Sequence, residues 1–204
     1  MNTIRFRFLK CICALIALSL SLTSAQAQLP VETLIPNGDF DTDISGWELN
    51  PFLAEPNARW VSEDALDNPA SGSAEIDNVG TGNNSTQLGL RLCLPSGTGL
   101  SYAAGASARM TTATTEGLPS ITINAYDNAD CSGSSLHTTW LIFGYVDSWT
   151  DAVESFVTPP GTTHLQIFIG VAKQSGVEET LSARFDNIYL VVDDGIFADR
   201  FQAL

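Results

Sequence analysis

The chain has 204 residues, with 23 Asp and Glu against 9 Lys and Arg, a formal net charge of −14 at pH 7. Such a charge repels phosphate backbones and excludes nucleic acid as a natural partner. The length suits one domain once a leader is removed.

That leader opens the chain. Arg5, Arg7 and Lys10 precede an apolar run from Cys11 to Leu22, and Ser24-Ala25-Gln26-Ala27 supplies small residues for signal peptidase. Cleavage is expected after Ala27, giving a signal peptide over 1–27, a β-domain over 28–192 and a tail over 193–204. The apolar run falls short of the roughly 20 residues that cross a bilayer. The mature chain is therefore expected to have no membrane span, and to be secreted, periplasmic or held at the cell surface. Without the three leader cations, six Lys and Arg face 23 acids, a net charge of −17.

From there on, period-two alternation dominates. Expected strands are Val31–Ile35, Ala58–Ser62, Gly72–Asp77, Gln87–Leu94, Tyr102–Met110, Ser120–Tyr126, Leu136–Phe143, Ala152–Thr158, His164–Ala172 and Leu181–Val192. Gly, Pro, Asn and Asp clusters separate them, as in Asn78–Ser85, Asp127–Ser135 and Pro159-Pro160-Gly161. No segment keeps a helical period. The expected fold is all-β, an antiparallel β-sandwich of the jelly-roll type. Only Cys93 and Cys131 survive processing, and in an exported chain they most simply form one disulfide. Cys93 alternates with Leu88, Leu90, Leu92 and Leu94, so its side chain should leave the leucine face and meet a loop cysteine. Neither cysteine has a second Cys or a His at ligand spacing, which disfavours a zinc site.

Three phrases then carry a family likeness. They are Asn37-Gly38-Asp39-Phe40-Asp41 with Gly46-Trp47; Trp149 with Phe156–Thr162 and the strand Leu165–Ile169; and Phe185-Asp186-Asn187-Ile188. In this order they resemble the galactose-binding-like jelly rolls, in particular the family 4, 9 and 22 type of carbohydrate-binding module. The likeness spans about Leu34 to Val192. It implies a glycan or polysaccharide as ligand, and Trp47 and Trp149 as core anchors. It also implies a structural calcium held by Asp41 and Asp186, with Asp39 beside them. Family members usually carry Glu where this chain has Asp41, whose side chain is one methylene shorter. Calcium takes six to eight hard oxygens, which carboxylates and carbonyls supply. The competing reading is a plain turn, in which these carboxylates cap backbone N–H groups.

Sugar rings stack their C–H faces on aromatic rings while their hydroxyls take hydrogen bonds from polar neighbours. The candidate stacking residues are Trp60, Trp140, Tyr126 and Tyr102, and the candidate polar partners are Arg91, Asn124 and Gln166. A core position is the competing reading for each aromatic. Catalytic signals are weak: His137 and His164 are the only histidines, with no Gly-x-Ser-x-Gly elbow and no His-Glu-x-x-His. The expectation is a non-enzymatic glycan-binding module. The alternative is an envelope or protein-interaction domain with no sugar ligand. The tail from Asp193, with Phe197 and Phe201, is similar to short tails of exported bacterial proteins and is a candidate protein-docking segment.

Overall fold

The computed structural model describes residues 33–49, 57–80 and 86–193. The expected signal peptide and all of the tail beyond Asp193 lie outside the described residues. Ten strands run in chain order as β1 (Glu48–Leu49), β2 (Ala58–Val61), β3 (Ser73–Asn78), β4 (Thr86–Pro95) and β5 (Ser101–Met110). They continue as β6 (Gly117–Tyr126), β7 (His137–Ile142), β8 (Thr150–Val157), β9 (His164–Lys173) and β10 (Leu181–Val192). All pairings are antiparallel, and the strands form two five-stranded sheets. One has the order β1-β4-β9-β6-β7, the other β2-β3-β10-β5-β8. The architecture is a β-sandwich jelly roll. Among the described residues no helix is long and apolar enough to cross a membrane.

Alternation decides which residues meet between the sheets. The first sheet turns inward Leu90, Leu92, Ile121, Ile123, Leu141, Ile167 and Ile169; the second answers with Ile76, Met110, Phe185, Ile188, Leu190 and the alanines of β5. Small Ala104, Ala106 and Ala108 leave room for the branched side chains opposite, so the layers interdigitate. Phe40 and Phe185 are fully buried. Phe185 meets Phe143 edge-on at 6.3 Å, and Phe40 packs against Trp47 at 5.7 Å. The Cys93–Cys131 disulfide is formed, and it ties β4 to the β6–β7 loop.

Two expectations need correction. Val31–Ile35 contributes no strand among its described residues. Leu34 donates a backbone bond to Leu190 O at 2.8 Å, but Pro36-Asn37-Gly38 then turns the chain away. The strand instead forms at Glu48–Leu49, two residues that pair with Arg91 and Leu90. Trp149 is not a core anchor: it lies half-buried under the Arg109 guanidinium, which sits 6.0 Å from its ring centre. Trp47 is buried, as expected.

Candidate binding face and acidic corner

The pairing registers place two rows of side chains on the outer face of the first sheet. One row runs Trp140–Thr122–Phe168–Arg91–Glu48, the other Thr138–Asn124–Gln166–Cys93. Trp140 is 49 % exposed on edge strand β7, and Ile142 beside it is 62 % exposed, while their neighbours Thr139 and Leu141 point into the core. An open groove of about 490 Å³ lies on the β4–β9 side of this face, lined by Glu48, Arg91, Cys93, Asp130, His164 and Gln166 among others. Arg91 donates from Nε to Glu48 Oε2 at 2.8 Å, so the guanidinium in the groove is held by a carboxylate.

The groove wall is tied down. Cys131 is bonded to Cys93, and Gln166 Nε2 donates to the Cys131 carbonyl at 3.1 Å. Gln166 Oε1 in turn accepts from the Tyr126 hydroxyl at 3.2 Å. Asn128 clasps the loop through its own amide, donating to Ser132 O and accepting from Ser132 N. Burial raises the Tyr126 hydroxyl's pKa, which keeps it a donor.

Of the residues singled out as ligand contacts, Trp140, Arg91, Asn124, Gln166 and Tyr126 thus share one face. Gln166 and Tyr126 are buried and satisfied there, so they position the wall. Tyr102 and Trp60 belong elsewhere. Tyr102 is 1 % exposed in the core, stacked on Phe156 and bonded to Ser96 Oγ. Trp60 is half-buried on the other sheet, and its indole N–H donates to Phe40 O at 2.7 Å. Both strands belong to the second sheet, and both side chains lie on its core side. Phe168, Glu48, His164 and Asp130 join the face without having been singled out. For Phe168 the signal was present: it shares parity with Gln166 in Leu165–Ile169.

The acidic phrases meet at the far corner of the second sheet. Ile188 N donates to Gly38 O at 2.9 Å, and a side chain at Gly38 would collide with the Ile188 carbonyl. Asp186 is fully buried, accepting backbone N–H bonds from Ala65 at 2.8 Å and Asn187 at 2.7 Å. Burial, opposed by those two bonds and helped by the charges of Asp64 and Asp39, pushes its pKa up to about 7. Asp39 is also raised, by burial and then by Asp41 and Asp64. Asp64 is lowered: burial acts against ionisation, and backbone donors from Asn68 and Leu66 outweigh it. Ser71 Oγ sits 3.0 Å from Asp41 Oδ1 and 3.4 Å from Asp39 O. Ser73 Oγ, one step past the Phe185–Ala74 pair, is buried without a hydrogen-bond partner. Hard oxygens and uncompensated negative charge are the chemistry calcium takes. Among the described residues, though, no three His, Cys, Asp or Glu side chains group around one point, so carbonyl and hydroxyl oxygens would have to complete such a site.

No protein-family model matches this chain, and no curated protein matches it. Solved structures do. The family 16 carbohydrate-binding module-2 is similar over 78 % of this chain and 99 % of its own, at 19 % identity and a TM-score of 0.50. The CBM22-1 xylan-binding domain from Paenibacillus barcinonensis Xyn10C is similar over 79 % and 95 %, at 11 % identity and a TM-score of 0.54. The fold is the jelly roll of carbohydrate-binding modules. The enzymatically active domain of bacteriophage CBA120 tailspike protein 4 is also similar, at 15 % identity and a TM-score of 0.57. There the likeness spans 78 % of this chain and 21 % of the phage chain. At these identities it is the carbohydrate-binding-module fold that is shared, and ligand chemistry has to be argued from the face itself.

Proposed function

We propose that the protein is an exported, non-catalytic module that binds a neutral polysaccharide across the outer face of its first sheet. The observation that carries this reading is the row Trp140–Thr122–Phe168–Arg91–Glu48 beside the open groove. Trp140 and Phe168 supply flat apolar surface for sugar C–H faces. Arg91, Glu48 and Asn124 offer donors and acceptors to hydroxyls, and the tied loop fixes the groove wall in advance of binding. Arg91 is already neutralised by Glu48, and Asp130 adds negative charge, which disfavours uronic-acid chains. The test is affinity electrophoresis of the mature protein through soluble neutral polysaccharides. Retardation that the Trp140→Ala variant loses is expected. Equal mobility in every polysaccharide by a folded protein overturns the reading.

Calcium at the acidic corner belongs to the same reading, supported by the oxygen-rich donor set and the orphan hydroxyl of Ser73. Asp39, Asp41 and Asp186 do not converge on one point among the described residues, so each would supply at most part of the donor set, and carbonyl and hydroxyl oxygens such as those of Ser71 would have to complete it. Its role would be structural, neutralising the corner and joining the opening turn to β10. A chelator should then lower the unfolding temperature, since a ligand bound only to the folded state stabilises it.

A protein partner is the second reading. It is favoured by the exposed apolar side chains Trp140, Ile142, Tyr145 and Val146 at and after β7. It predicts that Ile142→Asp abolishes partner capture and leaves polysaccharide retardation absent in both forms.

A further inference from the structure

The outer face of the second sheet changes character at β10's bulge. On one side Arg59, Glu75, Arg184, Glu63 and Arg109 pair with each other. On the other lies a separate trough of about 280 Å³, mainly apolar, lined by Leu66, Ser107, Asp151, Val153, Asn187 and Tyr189 among others.

This trough is built around one ring. Register pairs Tyr189 with Gly105, and Gly105 with Val153. A Cβ at position 105 would collide with the Tyr189 ring and hydroxyl, so the glycine lets the tyrosine lie down on the sheet. The bulge between Asp186 and Tyr189 holds Asn187 at a φ of +50°, which brings its side chain to the trough. Next to the ring, Ser107 Oγ donates to Asp151 Oδ1 at 2.6 Å, and Asn187 Nδ2 lies 3.5 Å from the same serine. Val153 and Leu66 flank it, 53 % and 77 % exposed. Each polar group sits at the edge of an apolar floor, an arrangement that orients a small ligand.

We propose that this trough is a second ligand site, which takes a single neutral pyranose ring through stacking on Tyr189 and hydroxyl bonds to Asp151 and Asn187. The occupant follows from shape and charge. A flat aromatic floor with carboxylate and amide at its rim matches a ring with one C–H face and a hydroxyl edge. The Asp151 carboxylate and the acidic chain reject anionic sugars. The site uses none of the residues of the first sheet's face, so the two stand or fall separately. With both in place, one domain would bridge two glycan chains from opposite faces.

The experiment is an amide-resolved NMR titration of the mature protein with methyl glycosides of glucose, galactose and xylose, and with methyl glucuronide as the anionic control. Neutral glycosides are expected to shift the amides of Gly105, Ser107, Val153 and Asn187, in wild type and in Trp140→Ala alike. Glucuronide should leave them still. Tyr189→Ala and Asp151→Ala should each weaken that response about tenfold, the size of one stacking contact or one charged hydrogen bond. Tyr189→Phe should retain it and serves as the folded control. No response to any neutral glycoside, or a response that survives Asp151→Ala and Tyr189→Ala, overturns the proposal. Shifts that follow protein concentration alone would also overturn it, identifying a second copy of the chain as the occupant.

Discussion

The two outer faces of this sandwich are read by the same period-two rule and yet differ in kind. On the second sheet three arginines are engaged by neighbouring acids: Arg59 by Glu75 and Asp77, Arg184 by Glu75 and Glu63, Arg109 by Glu63. On the first sheet the outward rows are aromatic, hydroxyl and amide, with the Arg91–Glu48 ion pair at one end. Charges that neutralise one another across strands lock a sheet's surface. Rings left partly in water, Trp140 and Phe168, keep their capacity for a ligand. The difference lies in which outward residues already have partners, and composition alone does not show it.

The largest expected effect falls on the tie between sheet and loop. Replacing Cys93 and Cys131 together by Ser should cost about 3–4 kcal/mol for a closed loop of 38 residues, measured by urea unfolding. It should also weaken polysaccharide retardation, because the Gln166–Cys131 contact loses its anchor, while the Tyr189 trough stays intact. Equal loss at both faces would show that the disulfide supports the fold alone and not the groove wall.

Next in size is Glu75→Gln on the second sheet. Glu75 is buried between Arg59 and Arg184, and its loss leaves two guanidiniums facing each other across β3. A cost of about 2–3 kcal/mol is expected, below the full value for a buried pair because Arg59 is half exposed. Polysaccharide binding should not change. A variant as stable as wild type would mean the arginine ladder is not the lock described above.

The acidic corner gives a signal of a different kind, one that depends on pH. Asp186 ionises near pH 7 when folded and near its ordinary value of 3.8 when unfolded. Between those values the folded state holds one more proton, so stability must fall as pH rises from about 4 to about 7 and then level off. Asp39, also raised, adds to the same slope. Asp186→Asn should flatten it in calcium-free buffer, and calcium should flatten it in wild type. A wild-type slope of the opposite sign across that window would remove Asp186 as the titrating group.

Much of the architecture was legible in the chain. Nine of the ten strands follow from alternation and turn residues, and the disulfide from the two cysteines left after the expected leader. β1 was not, because two residues carry no periodicity and Glu48–Leu49 becomes a strand only by pairing with β4. The site was half legible. Parity says that Gln166 and Phe168 share a side of their strand, but not which sheet that strand joins. Tyr102 and Trp60 therefore looked equivalent to Trp140 until the strand order separated them. Asp64 stayed invisible at the acidic corner, since a loop residue between β2 and β3 has no pattern to betray its contact with Asp186.

The smallest effect on stability should come from Trp140→Ala, and that is what makes it the sharpest test of the comparison. Trp140 sits on an edge strand with half its surface in water, and its inward neighbours Thr139 and Leu141 hold β7 to the core. Truncation leaves those inward side chains in place, so unfolding should move by about 1 kcal/mol, less than for the changes above. A ring that stacks on a sugar contributes more than that to binding, so affinity should fall at least about tenfold. If Trp140→Ala instead unfolds the protein as readily as Glu75→Gln, the first face serves structure to the same degree that the second does. An unchanged affinity in a stable variant would move the binding surface off β7.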